Sequence, residues 1–335
     1  VVTLEGTAPE SVVQDVAGVA NVQAVTGRLV MDVGLDISED NQARARLVGM
    51  PTAAQPPVNQ LYVQEGRYLQ EGDGLVAVVD HHLAEYYGYG PGTVLHPIVN
   101  GERLDVEIVG VAVSPEYLMA VASAENMLPL PSGFAVLFMP QPEVQGLLGA
   151  EGTINELNIR LGSRSPSDVD RAIAQVEEAL GGAPVRSVVK RADNPSYSLL
   201  RLDLEGGREM MGMVPSMFLV IAAMSIYVLL SRMVQVQRPQ VGVLKALGYS
   251  RWDVMRYYLL YSGLIAVAGS ILGFALSYPV GQAFAQAYAA EFGLPFVTAR
   301  FHLVAGLEAV GITLVVALLA GWFPAWASAR TAPAQ

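Results

Sequence analysis

The stretch Val214-Pro-Ser-Met-Phe-Leu-Val-Ile-Ala-Ala-Met-Ser-Ile-Tyr-Val-Leu-Leu230 contains no charged residue. One charge at the centre of a bilayer helix costs roughly 2.5–3.5 kcal/mol on insertion scales, and about 20 apolar residues cross the hydrocarbon layer. The run therefore reads as a membrane span over 214–233. Pro215 falls near its start, where a missing amide proton is tolerated. Two further runs, at 256–281 and 302–326, also read as spans, with Arg256 at the start of one and Glu308 within the other. Trp322 and Trp326 lie near one end of the last as interface anchors. Gly269 and Gly273 form a GxxxG pair in the second span. That pair reads either as a helix-packing contact or as the ordinary glycine content of membrane helices.

Outward from these spans the charge is uneven. Up to Gly212 there are 28 acidic and 13 basic residues, a net of −15, and the remainder holds 3 acidic and 7 basic, a net of +4. Between the first two spans lie Arg232, Arg238, Lys245, Arg251 and Arg256, opposed by Asp253. The next loop carries only Glu291 and Arg300. The positive-inside rule puts the basic loop in the cytoplasm. The acidic N-terminal region then lies outside, and the C-terminus with Arg330 lies inside. Glu308 sits about 9 Å into the third span at 1.5 Å per residue. Acids within a membrane are functional by default, yet at that depth a carboxylate also reaches the headgroups, and both readings stay open.

The sequence excludes several chemistries. It has no cysteine, so disulfides, thiolate nucleophiles and cysteine zinc sites are ruled out. Its two lysines, Lys190 and Lys245, do not follow glycine, and no GxxxxGK[ST] phosphate loop exists. The chain therefore cannot be a P-loop ATPase by itself, and it is not expected to be an enzyme. No HExxH motif is present. His81 and His82, with Glu85 following, read as a solvated pair. No catalytic, metal or cofactor residues are assigned, no nucleic-acid partner is expected, and a membrane hydrolase would need patterns that are missing. The chain starts at Val1 without a signal peptide. It is therefore expected to be a fragment that has lost an upstream membrane helix or signal.

Residues 1–195 read as an α+β domain. The clearest hairpin pairs Thr93–Val99 with Glu102–Val113 around Asn100-Gly101, a type I′ turn signal. Strands are expected at Asn21–Val33, Arg44–Val48, Phe134–Met139, Ile154–Leu161 and Val185–Lys190, and helices over Leu75–Tyr87 and from Ser165 or Ser167 to Leu180. A stalk helix is expected over 196–213, weakened by Gly206-Gly207, and leads into the three-helix membrane domain of 214–335. The stretches around Gln55-Pro-Pro57 and Met127–Gly133 read as loops.

The segment 238–250, Arg-Pro-Gln-Val-Gly-Val-Leu-Lys-Ala-Leu-Gly-Tyr-Ser, reads as a short cytoplasmic helix. Pro239 starts it, Gly248 caps it, and Val241, Leu244 and Lys245 fall along one side. Two readings stand level on physics: a surface helix resting on headgroups, or a docking helix that takes a push from a partner.

The run QRPQVGVLKALGYSRWDVMRYYLLYSGLIAVAGSILGFALSYPVG at 237–281 resembles the signature of FtsX-like permeases, the membrane subunits of MacB-type ABC transporters. The family pattern R-x-x-[IV]-G-x-[LR]-[KR]-A-[LI]-G is met by Arg238, Val241, Gly242, Leu244, Lys245, Ala246, Leu247 and Gly248. The ending FPAWASARTAPAQ is similar to that family too, as are LVGMP, LYVQEGRYL, DHHLAEYYGYGPGTVL and VEIVGVAVSPEYL in the outer part. Gln240 stands where many relatives have Glu, and Pro239 is unusual. The resemblance implies a MacB-like periplasmic core domain and a multi-pass permease in the inner or plasma membrane of a bacterium. It implies a cytoplasmic ABC ATPase as partner, and a second permease half or a homodimer. ATP hydrolysis would move the outer domain, a mode called mechanotransmission. Arg238, Val241, Leu244, Lys245, Leu247, Gly248 and Tyr249 would form the docking surface. The rival reading is a membrane-anchored binding protein or receptor without an ATPase.

Overall fold

The computed structural model describes residues 1–38, 41–118, 132–291, 294, 297–298 and 300–329. Residues 127–131 of the expected Met127–Gly133 loop, and Arg330, lie outside the described residues. The chain divides into two units, Val1–Asp203 with a short later segment, and a helical one of Leu204–Glu291 and Phe296–Gln335.

The first unit is α+β and is built on two sheets. Its elements, in chain order, are β1 (Val2–Pro9), α1 (Val12–Ala17), β2 (Val22–Arg28), β3 (Val30–Ser38), β4 (Asn41–Met50), β5 (Tyr62–Gly66), β6 (Val76–Asp80) and α2 (His81–Tyr87). They continue with β7 (Val94–Val99), β8 (Glu102–Arg103), β9 (Val106–Val113), β10 (Phe134–Pro140), α3 (Gln141–Leu148), β11 (Thr153–Leu161), α4 (Pro166–Ala179) and β12 (Val185–Val188). The smaller sheet has the order β12-β1-β11-β2 and the larger the order β5-β9-β6-β10-β4-β3-β7-β8. β7 also pairs with β9, which closes six strands of the larger sheet into a ring.

Strand β10 shows why the larger sheet holds. Every residue of Phe-Ala-Val-Leu-Phe-Met-Pro is buried, as expected for a central strand paired in parallel with β4 and antiparallel with β6. Ala135, Leu137 and Met139 join one apolar cluster with Leu47, Val79 and Leu95. Phe134, Val136 and Phe138 join the other, with Val48, Val78 and Tyr117. The side-chain period of two thus feeds two cores. The smaller sheet packs its own core, in which Val2, Leu4, Ile154 and Leu157 meet Val16, Val176 and Leu180.

The Asn100-Gly101 hairpin forms with φ of 50° and 85°, the left-handed pair that a type I′ turn requires. α4 starts on Ser165, whose hydroxyl accepts from Asp168 N at 3.3 Å. Two expectations are corrected. Asn21–Val33 is not one strand: Leu29 separates β2 in the small sheet from β3 in the large one. Leu75–Tyr87 is not one helix either. Val76-Ala-Val-Val is a buried strand between β9 and β10, and its next residue, Asp80, caps α2 by accepting from His82 N at 3.1 Å. His81 and His82 are not solvated, because His82 Nδ1 lies 3.0 Å from Asp80 and His81 Nε2 lies 3.2 Å from Glu85. Burial alone would lower His82, but the Asp80 carboxylate outweighs it and holds the imidazole above its usual range.

The second unit is helical. α5 (Pro195–Val236), α6 (Arg238–Ala246), α7 (Arg251–Glu291) and α8 (Leu303–Ala329) follow one another. α5, α7 and α8 are each long and apolar enough to cross a membrane. At 1.5 Å per residue α5 and α7 are each about 60 Å long, twice the roughly 30 Å hydrocarbon layer. Pro215 is not near a helix start, since α5 runs unbroken through it. The Ser216 hydroxyl donates to Gly212 O and Met213 O at 2.6 and 3.0 Å beside the proline, as serines do near breaks in membrane helices.

Candidate docking surface

The corner between α5 and α7 is built from local signals. Gln237 occupies the position before α6, and Pro239 lies in its first turn. Gly248 takes φ of 95°, a conformation that glycine adopts without steric cost. Its amide bonds Lys245 O at 3.1 Å while Tyr249 N bonds Leu244 O at 3.1 Å, the paired pattern of a Schellman cap. The helix therefore ends at Ala246 rather than at Ser250. α7 then starts on a capping box: Ser250 N and Oγ both donate to Asp253 Oδ2, at 3.0 and 2.6 Å, and Asp253 N donates to Ser250 Oγ at 3.2 Å.

One face of α6 is committed to this chain. Gln237, Val241 and Lys245 recur every four residues and so share a face. Gln237 Oε1 accepts from the buried Tyr258 hydroxyl at 3.0 Å. Val241 is buried in a cluster with Leu230, Val234, Val254, Met255, Tyr258, Ala325 and Ala329. Lys245 Nζ donates to Ala329 O, in the last turn of α8, at 2.7 Å. Burial and the nearby Arg251 charge hold this ammonium below the usual lysine range.

The expected docking set therefore splits. Val241 and Lys245 face inward. Arg238, Leu244, Leu247, Gly248 and Tyr249 are exposed, with Leu247 at 72% and Tyr249 at 55%. Val243 (53%) and Trp252 (60%) extend this exposed apolar set, and sequence reasoning did not include them. No helical spacing links Trp252 to Tyr249, because Tyr249 lies between α6 and α7.

The glycine expectation also resolves into geometry. Among the described residues, nothing beyond the helix's own backbone and the chain neighbours lies within 4 Å of a Cβ placed on Gly269 or Gly273. The chain's close helix contacts lie instead at Gly306, where a Cβ would meet the Phe274 ring at 2.7 Å, and at Gly321, where it would meet Ser262 Oγ at 2.7 Å. Ala317, Gly321 and Ala325 are spaced by four and all buried, a small-residue stripe of the type that lets helices approach.

Comparison with known proteins places both halves. Residues 3–179 match the MacB-like periplasmic core domain, and residues 212–333 match the FtsX-like permease C-terminal family. The chain belongs to the MacB/FtsX-like permease family. It is 22% identical to the macrolide export ATP-binding/permease protein MacB of Shewanella oneidensis over 248 residues, covering 73% of this chain and 35% of that protein. To the pyoverdine export ATP-binding/permease protein PvdT of Pseudomonas aeruginosa it is 21% identical, covering 95% of this chain and 46% of that one. The chain thus spans about a third to a half of the length of these curated relatives. Among solved structures, the extracellular domain of the transporter YknZ from Gram-positive bacteria superposes with a TM-score of 0.36 at 17% identity, covering 54% of this chain and 90% of that one. Within the MacB/FtsX-like permeases, then, the α6 corner of this chain presents an apolar face fixed from behind.

Proposed function

We propose that this chain is the permease part of an ABC transporter and that α6 is where a cytoplasmic ATPase pushes on it. The observation that carries this reading is the division of α6 into two faces. One face is anchored through Gln237, Val241 and Lys245, and the other leaves Leu247 and Tyr249 exposed beside Trp252. A helix that transmits force needs both a contact face and a mounting. The basic loop favours a cytoplasmic position for α6, which leaves the acidic α+β unit outside. The three long helices expose most of their apolar residues, and a second permease copy or half is the proposed neighbour, with Gly269 and Gly273 open to it.

The test uses the full chain in lipid nanodiscs with the nucleotide-binding subunit that co-purifies with it. The permease is expected to stimulate ATP hydrolysis. Buried apolar anchors of an interface each cost about 2 kcal/mol or more when lost. Leu247→Asp with Tyr249→Ala should therefore weaken ATPase binding by at least about 30-fold. A helix that merely rests on headgroups would keep the binding unchanged. Recovery of the chain without any nucleotide-binding subunit would favour the receptor reading instead.

A further inference from the structure

We infer that Lys245 is a positioning residue that fastens α6 to the C-terminal end of α8, so that the two respond to the ATPase as one piece. This inference rests on α6 being the docking helix. The geometry points away from Lys245 being part of the contact itself.

Three features meet at this lysine. A buried backbone carbonyl needs a hydrogen-bond donor, and a charged donor makes the stronger bond. Ala329 O belongs to the last described turn of α8, and the Lys245 ammonium reaches it at 2.7 Å. Ala329 is 4% exposed, so few alternatives from water are available to that carbonyl. One turn back along α6, Val241 packs into the same cluster as Ala325 and Ala329. Another turn back, Gln237 is held by Tyr258 of α7. The result is a three-point mounting with the charged point on α8. A push on Leu247 and Tyr249 would then reach α8 through Lys245 and reach α7 through Gln237 and Tyr258.

The sequence offers a convenient control. Lys190 is the other lysine of the chain, and its side chain is 48% exposed, with an Asp170 partner at 2.9 Å. Lys190→Met removes one partner of an exposed ion pair and should leave ATPase binding and stimulation within about two-fold of wild type. Lys245→Met keeps most of the aliphatic stem and removes the donors, while Lys245→Arg keeps the charge. Lys245→Met should bind the ATPase within about two-fold of wild type, yet lose most of the stimulation. Lys245→Arg should recover part of that stimulation. Amide hydrogen exchange in the last turn of α8 and in α6 should speed up in Lys245→Met and stay slow in Lys245→Arg.

The outcomes separate the two claims. If Lys245→Met weakens binding as much as Leu247→Asp with Tyr249→Ala, Lys245 is a partner contact and the inference fails. If hydrogen exchange in α8 is unchanged, no fastening exists and the inference fails on the chain alone. If exchange responds but no ATPase binds the wild-type chain, the mounting is real and the docking reading is the part that fails. That last result also overturns the mounting's role in carrying force from an ATPase.

Discussion

Replacing Arg28 with Met is expected to destabilise the N-terminal unit by about 3–5 kcal/mol, the usual cost of leaving buried charge unpaired. The Arg28 side chain is 3% exposed and stands between two carboxylates, Glu116 at 8% and Glu156 at 13%. Its Nη2 donates to Glu116 Oε1 at 2.5 Å, and its Nε donates to Glu156 across the β2–β11 pair. Asn59 donates to the other oxygen of Glu116 at 3.1 Å. Removing the guanidinium leaves two largely buried acids without the cation that stands between them. The pH dependence should change sign with it. In the wild type, burial would raise Glu116, but the Arg28 charge and hydrogen bonds prevail and hold its carboxyl below the usual range. A depressed carboxyl contributes stability above its unfolded pKa that is lost as pH falls through the folded value. Without Arg28 the Asn59 hydrogen bond remains, but the largest opposition to burial is gone, and the pKa should rise. The variant should then gain stability on mild acidification relative to the wild type, since the raised His82 contributes equally to both. Pulse proteolysis of the full chain in urea, at pH 7.5 and pH 5, measures both. Equal stability of variant and wild type at pH 7.5 would mean that the cluster contributes nothing. Adding Glu116→Leu and Glu156→Leu should restore most of the loss, since an apolar replacement of a whole buried cluster is often neutral.

The cluster sits where the chain changes sheets, and that crossing was not legible. β2 ends on Arg28, and β3 begins on Val30. Gly27 is the one local sign of a break, and with no proline or asparagine beside Leu29 the pattern over residues 21–33 reads as one strand. The structure replaces the missing turn signal with side chains from far away. Asn155 pairs with Val30 through both its amide groups, at 2.8 Å each, standing in for a strand neighbour. The helix expected over Leu75–Tyr87 failed differently. A short apolar run fits a buried strand or a helix equally well by period, and the cap at Asp80 was the overlooked boundary. The membrane spans and the α6 turn were legible because their signals are local: absence of charge, a proline in the first turn, a glycine at the cap. Which face of α6 is mounted was not legible. Val241, Val243, Leu244 and Leu247 put apolar groups on more than one side, and the partner of Lys245 lies 84 residues away.

Replacing Gly321 with Val is expected to be the most damaging single change in the helical unit, because that position joins three helices. A Cβ there would lie 2.7 Å from Ser262 Oγ, 3.0 Å from Ser262 Cβ and 3.2 Å from Leu230 Cδ1. Ser262 is fully buried on α7, and Leu230 is fully buried on α5. Ser262 stands too close for a Cβ to fit, so Ser262 or the backbone of α8 must shift. Overpacking a filled site typically costs about 1–3 kcal/mol, and here two neighbours are strained at once. The same shift would pull Ala325 and Ala329 out of the cluster that mounts α6. Gly321→Val should therefore lose stability by about 3 kcal/mol and lose ATPase stimulation with it. Gly269→Val adds the same side chain where, among the described residues, nothing beyond its own helix backbone lies within 4 Å of a Cβ, and should stay within about 0.5 kcal/mol of wild type in the isolated chain. Thermal unfolding in detergent, followed through the fluorescence of Trp322 and Trp326 on α8, separates the two. A reversal of their order would place the packing seam at the GxxxG pair after all. Rescue gives the sharper test. Gly321→Ala with Ser262→Gly removes the atoms at 2.7 and 3.0 Å and leaves Leu230 Cδ1 at 3.2 Å, a flexible terminus that can yield. The double variant should be more stable than Gly321→Ala alone, as close contact between these two positions requires.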